Sequence, residues 1–327
     1  MIEIKTPYYS DNSRISNSAI GWFNKKGPRY LRNMLDGKEE GIKGSFLEKG
    51  TMIHMYLLEP KEFWDNYIIL DFEVPKVKQQ KDFCDNYANS IELMEDDKLL
   101  TAYDSAYSNS KTIEQKLTIA KELRSTFTKY VEYLAIQNTG KKVISFSELS
   151  LLKKIKENIT EHKAANKLLF DDSTLYENHN EFHINWECGG VLCKSLLDRV
   201  KIDVTNKKFI VVDLKTTFDV YNFNDSVKEY DYYRQIQFYI QAVSHYLINE
   251  RGYSYDDLKE WDVEAYIVAV QSNGDGEVRV FNMLNKEELL KRENLINKTL
   301  SEISYHIQSG NWEHTRNYYE NEGIEEL

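Results

Sequence analysis

An aspartate and a lysine stand two residues apart in the run Phe-Ile-Val-Val-Asp-Leu-Lys-Thr-Thr, residues 209 to 217. Successive side chains of a strand face opposite ways, so Asp213 and Lys215 project together while Val212 and Leu214 turn toward a core. Fifteen residues before Asp213, Asp198 ends the run Val-Leu-Cys-Lys-Ser-Leu-Leu-Asp. The residues between the two runs, Asp203 to Lys208, are mostly polar and turn-like, so the runs read as a hairpin that sets Asp198 beside Asp213. Two carboxylates so placed can hold a divalent cation, and a neighbouring lysine can serve a water molecule. The plain alternative is an ion pair on a wet strand face. Against it, Leu197 and Val200 flank Asp198 and predict burial, and a buried carboxylate needs a partner.

Other side chains could join this pair. In Glu-Phe-His-Ile-Asn-Trp-Glu, Phe182, Ile184 and Trp186 form one strand face, with Glu181, His183, Asn185 and Glu187 on the other; of these, His183 and Glu187 read as surface residues. Gln235 and Tyr239 are four apart on an expected helix and share a face with Tyr232, a spacing equally suited to core packing. His54 stands among apolar neighbours, where a lone histidine is usually a core residue.

The elements that must carry these residues follow from periodicity. From Ser18 to about Gln137 the pattern is helical, as at Met52, Met55 and Tyr56, with no strand expected. A helix is predicted from Glu148 to about Leu169, with Ser147 as N-cap and Leu151, Ile155 and Ile159 on one stripe. Three strands follow, roughly 174–187, 190–202 and 208–216, the first two joined at Gly189-Gly190, and should form an antiparallel meander. Next come a helix from Tyr230 to Ile248, strands near 262–270 and 277–282 joined by Ser-Asn-Gly-Asp-Gly, and a helix over 285–308. The fold class is α/β, a mixed central sheet flanked by helices. Residues 1–140 read as a helical region packed on a core of residues 141–327, one continuous domain.

Length and composition set the frame. A chain of 327 residues, 41% hydrophobic, can bury a sizeable core. With no run of about twenty apolar residues and a start, Met-Ile-Glu-Ile-Lys-Thr-Pro, unlike a signal peptide, a cytoplasmic protein without membrane insertion is expected. Three scattered cysteines, Cys84, Cys188 and Cys193, argue against a disulfide framework, a zinc ribbon or a four-cysteine iron–sulfur cluster. The net charge of −11 opposes nucleic-acid binding. Net charge does not say where charges lie, and basic residues cluster at Lys25, Lys26, Arg29 and Arg32 and at Lys153, Lys154, Lys156, Lys163 and Lys167. Each cluster serves equally as a solvated helix face or a phosphate track.

Taken together, Leu-Asp-Arg-Val, Val-Val-Asp-Leu-Lys-Thr-Thr and Tyr-Tyr-Arg-Gln-Ile-Gln-Phe-Tyr resemble the core of the PD-(D/E)XK nucleases, most closely the phage-type RecE-like exonucleases. Gly50-Thr51-Met52-Ile53-His54 is similar to the family's upstream histidine motif, and Ser-Ala-Ile-Gly-Trp-Phe followed by Pro28 to its opening helix. The resemblance spans about Ser18 to Val243. It implies a restriction-endonuclease-like core with Asp198, Asp213, Lys215 and Glu181 as catalytic residues. Metal ligands would be Asp198, Asp213, the Leu214 backbone carbonyl and His54, the last also a candidate 5′-phosphate contact, with Mg2+ as cofactor and Mn2+ as a substitute. Gln235, Tyr239 and Thr216 would contact DNA or support the site. Where relatives often carry a basic residue two before the strand aspartate, this chain has Leu196, with Lys194 two further back, which puts a phosphate contact there in doubt.

The resemblance further implies digestion of linear double-stranded DNA from 5′ ends, leaving 3′ single strands for an annealing protein in recombination. Its setting would be a phage or prophage protein in a bacterial host, assembled as a ring-shaped homo-oligomer on DNA ends. Two rivals use the same residues: an endonuclease or single-strand nuclease of this fold, and a non-catalytic protein that binds DNA ends or a partner.

Overall fold

A computed structural model describes residues 8–41, 44–70, 72, 74–90, 92–137 and 140–324. In chain order the elements begin with a 3-10 turn at Tyr8–Ser10, then α1 (Asn17–Leu35), α2 (Ser45–Leu58), α3 (Pro60–Asn66), β1 (Tyr67–Leu70), α4 (Lys78–Asn89), α5 (Glu95–Ala106), α6 (Ile113–Thr126) and α7 (Thr128–Gln137). They continue with β2 (Lys142–Ser145), α8 (Phe146–Glu161), α9 (Lys163–Leu169), β3 (Glu177–Cys188), β4 (Val191–Asp203), β5 (Lys208–Thr217), α10 (Phe223–Glu229) and α11 (Tyr232–Asn249). The last are α12 (Tyr255–Leu258), β6 (Asp262–Gln271), β7 (Val278–Asn282), α13 (Lys286–Ser309) and α14 (Arg316–Glu320). Contacts group them into two units, Met1–Leu58 with Lys154–Leu327, and Glu59–Lys153. The first 58 residues thus group with the sheet, where the sequence pattern groups residues 1–140 together.

The inserted unit has its own core of Phe83, Cys84, Tyr87, Leu99, Tyr103 and Tyr130. It also contains strands that the helical pattern gave no reason to expect. β1 and β2 pair in parallel from Tyr67↔Lys142 to Leu70↔Ser145; each has only four residues, too few for a legible period. The start of α8 differs from the expectation as well. Ser145, not Ser147, caps it: Ser145 Oγ accepts from the Glu148 amide at 3.2 Å, and Glu148 Oε2 accepts from the Ser145 amide at 2.7 Å.

The larger unit holds a five-stranded sheet in the order β3-β4-β5-β6-β7. Only β5 and β6 pair in parallel. The meander β3-β4-β5 matches the alternation of its sequence, and Gly189 and Gly190 make its first turn at φ 58 and 77, values that glycine adopts without a Cβ penalty. The helix expected over 148–169 is two helices. α8 stops at Glu161, and His162 caps α9 by accepting from the Ala165 amide at Nδ1, 3.2 Å away. Its buried stripe is Leu149, Leu152, Ile155 and Ile159, with Leu151 half-buried. α11 begins at Tyr232 because Asp231 takes a left-handed conformation, φ 52, and the short α10 precedes it.

One face of the sheet, including Val211 of β5 and Ile267 of β6, shares a core with α1 (Ile20, Leu31), α11 (Phe238, Val243) and α13 (Ile296, Leu300). Each of these fully buried side chains stabilises the fold by about 1.5–3 kcal/mol before entropy is counted. Among the described residues, no helix is long and apolar enough to cross a membrane.

Candidate active site at the sheet fork

The sheet divides where its acidic residues lie. β4 pairs with β5 from Asp203↔Lys208 to Arg199↔Val212, and the next rung of that register would set Asp198 opposite Asp213. The ladder stops there. Beyond it, residues 191–197 of β4 pair with β3, and residues 213–217 of β5 pair with β6. On the other side of Asp198 the β3–β4 ladder passes from Asn180↔Arg199 to Phe182↔Leu197, skipping the rung that would join Glu181 to Asp198. Glu181, Asp198 and Asp213 therefore occupy one row across three strands, at the point where the strands separate.

The backbone at this row is unusual. Glu181 has φ 44 inside a strand, a conformation that costs a non-glycine residue free energy and that concentrates at functional sites. Across Asp198 the core-facing side of β4 changes from Cys193 and Leu197 to Val200 and Ile202, so regular alternation is broken at the aspartate. The Leu214 amide, released from the β4 ladder, donates to Asp198 Oδ2 at 2.6 Å. Leu214 thus meets the row through its N–H.

Three further elements converge on the row. From α2, His54 Nδ1 lies 3.6 Å from Asp198 Oδ1. Gly50, four residues earlier on the same helix face, permits this approach: a Cβ there would stand 3.0 Å from Thr216 Oγ1. Thr216 accordingly sits at the α2–β5 contact. From β5, Lys215 Nζ lies 2.6 Å from Asp213 Oδ2. From α11, Gln235 Nε2 donates to Asp213 Oδ1 at 3.1 Å and to the Tyr239 hydroxyl at 2.8 Å. Tyr239 is buried, and its hydroxyl accepts from Gln235.

The electrostatics separate the two aspartates. Burial raises the Asp198 carboxyl, but the adjoining His54, then Lys215 and the Leu214 amide, outweigh it and hold the group below its ordinary value. Burial pushes Asp213 up to about 6; Lys215 opposes this and the Asp198 charge adds to it. Lys215 is lowered by burial and raised further by Asp213 and Asp198, so it stays protonated. Burial likewise lowers His54, and Asp198 more than restores it, leaving it raised.

The donor set suits a hard cation. Ligand atoms of His54, Glu181 and Asp198 lie within 4.8 Å of one another, the metal-capable cluster among the described residues. Asp213 stands beside that cluster rather than in it, its oxygens turned to Gln235 and Lys215. Its buried Oδ2 is met by the Lys215 ammonium at 2.6 Å, so a cation placed in the neighbouring cluster would share Asp213 with that ammonium.

Several neighbours depart from their expected roles. His183 is half-buried, its ring edge-on to Tyr8 at 5.4 Å, because the N-terminal turn covers β3 there. Lys194 is buried and donates to the carbonyls of Tyr8 and Asp11, both at 2.6 Å, so it is structural. Both basic clusters are exposed; Arg29 and Arg32 pair with Glu313 and Asp36. Tyr232 was marked in the sequence only by its spacing from Gln235, yet Lys215 Nζ lies over its ring, 5.0 Å from the centroid.

A five-stranded mixed sheet with acids and a lysine at its fork defines the PD-(D/E)XK class of fold. The family model described as "PDDEXK-like domain of unknown function (DUF3799)" matches residues 16–315, and the chain belongs to that family. Among solved structures it is similar to a protein from Eubacterium rectale described as "Putative exonuclease", at 11% identity and a TM-score of 0.49, covering 100% of this chain and 95% of that chain. It also matches SSO0001, at 12% identity and a TM-score of 0.24, covering 80% of this chain and 88% of that chain. No curated protein matches the sequence.

Proposed function

We propose that this protein is a metal-dependent exodeoxyribonuclease that hydrolyses phosphodiester bonds of linear double-stranded DNA and leaves 3′ single strands. The observation that carries the reading is the row Glu181–Asp198–Asp213 at a sheet fork, with Lys215 against one end and His54 against the middle. His54, Glu181 and Asp198, whose ligand atoms cluster, would hold the cation, and the resemblance adds Asp213 and the Leu214 carbonyl from the same row; Mg2+ fits such oxygen-rich ligands, and Mn2+ substitutes. A bound divalent cation supplies charge neutralisation and water activation.

The chain's own groups do the rest. Lys215, kept protonated by two carboxylates, acts as a fixed cation beside the scissile phosphate. This assigns it to orienting water and offsetting transition-state charge rather than to removing a proton. Asp198 stays anionic, which suits a ligand. Gln235 fixes Asp213, Tyr239 fixes Gln235, and Thr216 borders the α2 contact that sets His54.

The resemblance to RecE-like exonucleases supports the finer reading: 5′-to-3′ digestion, a ring of identical subunits on a DNA end, and a single-strand annealing protein as partner in recombination. It also supports a setting in the cytoplasm of a bacterial host, encoded by a phage or prophage. The test is digestion with Mg2+ of linear duplexes carrying or lacking a 5′-phosphate, labelled at either end, beside a covalently closed circle. Mononucleotides from the 5′-labelled end and an intact circle are expected. A nicked or linearised circle would establish an endonuclease instead. No cleavage with Mg2+ or Mn2+ by folded protein would overturn the nuclease reading in favour of a non-catalytic DNA-end binder.

A further inference from the structure

The ammonium of Lys215 touches two things: Asp213 Oδ2 at 2.6 Å and the face of Tyr232, its centroid 5.0 Å away. If a cation is to use Asp213 as a ligand, the first contact weakens, because cation and ammonium compete for one oxygen. A lysine stem is flexible, and an ammonium released from its carboxylate would be free to leave the row. The ring is a partner that no metal takes away. It attracts the ammonium through its quadrupole, most strongly where water is excluded, and here the lysine side chain is only 18% exposed.

That ring is itself held. Phe281 of β7 stacks on Phe223 of α10 with centroids 5.0 Å apart and planes at 20°. Phe223 stacks on Tyr232 at 5.7 Å and 26°, and Tyr230 stacks on Tyr232 at 5.8 Å and 25°. Phe223 is fully buried and shares the main core. An aromatic ladder anchored in the last strand thus ends on the ring that meets the ammonium. Its geometry favours orientation over burial alone, since two near-parallel neighbours leave the ring little freedom to tilt.

We propose that Tyr232 is a positioning residue that holds the Lys215 ammonium through its ring face, with Phe223 and Phe281 fixing the ring. This rests on the nuclease reading for its catalytic consequence and on geometry alone for the contact. The experiment labels lysine with 13C and follows the Lys215 side-chain methylene signals, assigned by their loss in Lys215→Arg, alongside steady-state cleavage with Mg2+.

In the wild type these signals should lie upfield of the other lysines, shifted by the ring current, both without and with Mg2+. Tyr232→Phe keeps the ring and should keep the shift and most of kcat. Tyr232→Leu should lose the shift and lower kcat by about 10- to 30-fold, with KM little changed. Lys215 signals among the exposed lysines in the wild type, or a Tyr232→Leu enzyme with wild-type kcat, would overturn the proposal. If Tyr232→Leu does not fold, the wild-type and Tyr232→Phe shifts decide it. If the wild type cleaves no DNA, the nuclease reading fails while the shift still decides the contact.

Discussion

Two neighbouring regions of the sheet bury charge, and they complete it differently. Past the row, β4 carries Arg199 and Lys201, 3% and 1% exposed. Lys201 donates to the carbonyls of Lys167 and Asp171 at 2.9 and 2.7 Å. Arg199 donates to Asn180 and Asp172 at 2.8 and 2.7 Å, with Asn178 and the Asp171 carbonyl further off, and only its Nε has no hydrogen-bond partner. At the row, Asp213 is met by one amide donor and one ammonium. Charge held by several of the chain's own carbonyls, amides and carboxylates at once is architecture. Charge met by one amide and one ammonium, beside a cluster of ligand atoms on a neighbouring strained strand, is where a ligand belongs.

The largest expected effect is at the row. Lys215→Ala should reduce cleavage by about 10³-fold while the circular dichroism spectrum and melting cooperativity stay those of the wild type. Robust Mg2+-dependent digestion by this variant would remove the distinction, because Lys215 would then be one more buried structural cation. The converse change falls on β4. Lys201→Met should cost about 3 kcal/mol in urea-measured stability, since two carbonyls lose their donor, and leave the cleavage rate per folded molecule unchanged. Equal losses of rate at both positions would mean that the two regions form a single cooperative unit.

How much of this contrast was legible beforehand depends on the range of the signal. The β3–β5 meander shows in short apolar alternations closed by Gly189-Gly190 and by a polar turn, all local. From that register the opposition of Asp198 to Asp213 follows, and the structure stops the ladder at that rung. The positive-φ kink at Glu181 leaves no mark, because glutamate is a common strand-face residue and nothing in its type requires a positive φ. The break at His162 was hidden too: neither glycine nor proline announces it, and the ring nitrogen that caps α9 is not a usual capping group. β1 and β2 are four residues each and far apart in sequence, so neither period nor proximity reveals their pairing. Tyr232 looked like core spacing; only the fold shows the ammonium over its ring.

The smallest effect concerns the sign of a single charge. Asp198 and Asp213 differ in how folding changes their acidity, so they must influence stability in opposite directions as pH changes. Asp198 is held below its ordinary value of 3.8, so its contribution is present above that pH and is lost as the medium becomes more acidic. Asp213 is raised from 3.8 to about 6. Between those values the unfolded chain has released the proton that the folded chain retains, so the contribution of Asp213 is complete below about pH 4 and disappears as pH rises through about 6. Asp213→Asn removes that titration and keeps an oxygen for the Gln235 amide. Metal-free Asp213→Asn should therefore melt higher than the wild type at pH 8, by on the order of 1 kcal/mol, with the gap closing toward pH 4. Adding Mg2+ should stabilise the wild type more than the variant, because the cation is attracted by the Asp213 charge that the amide lacks. A variant that is less stable than the wild type at pH 8 in EDTA would show that Lys215 already completes Asp213, and the row would then resemble the stretch of β4 beside it.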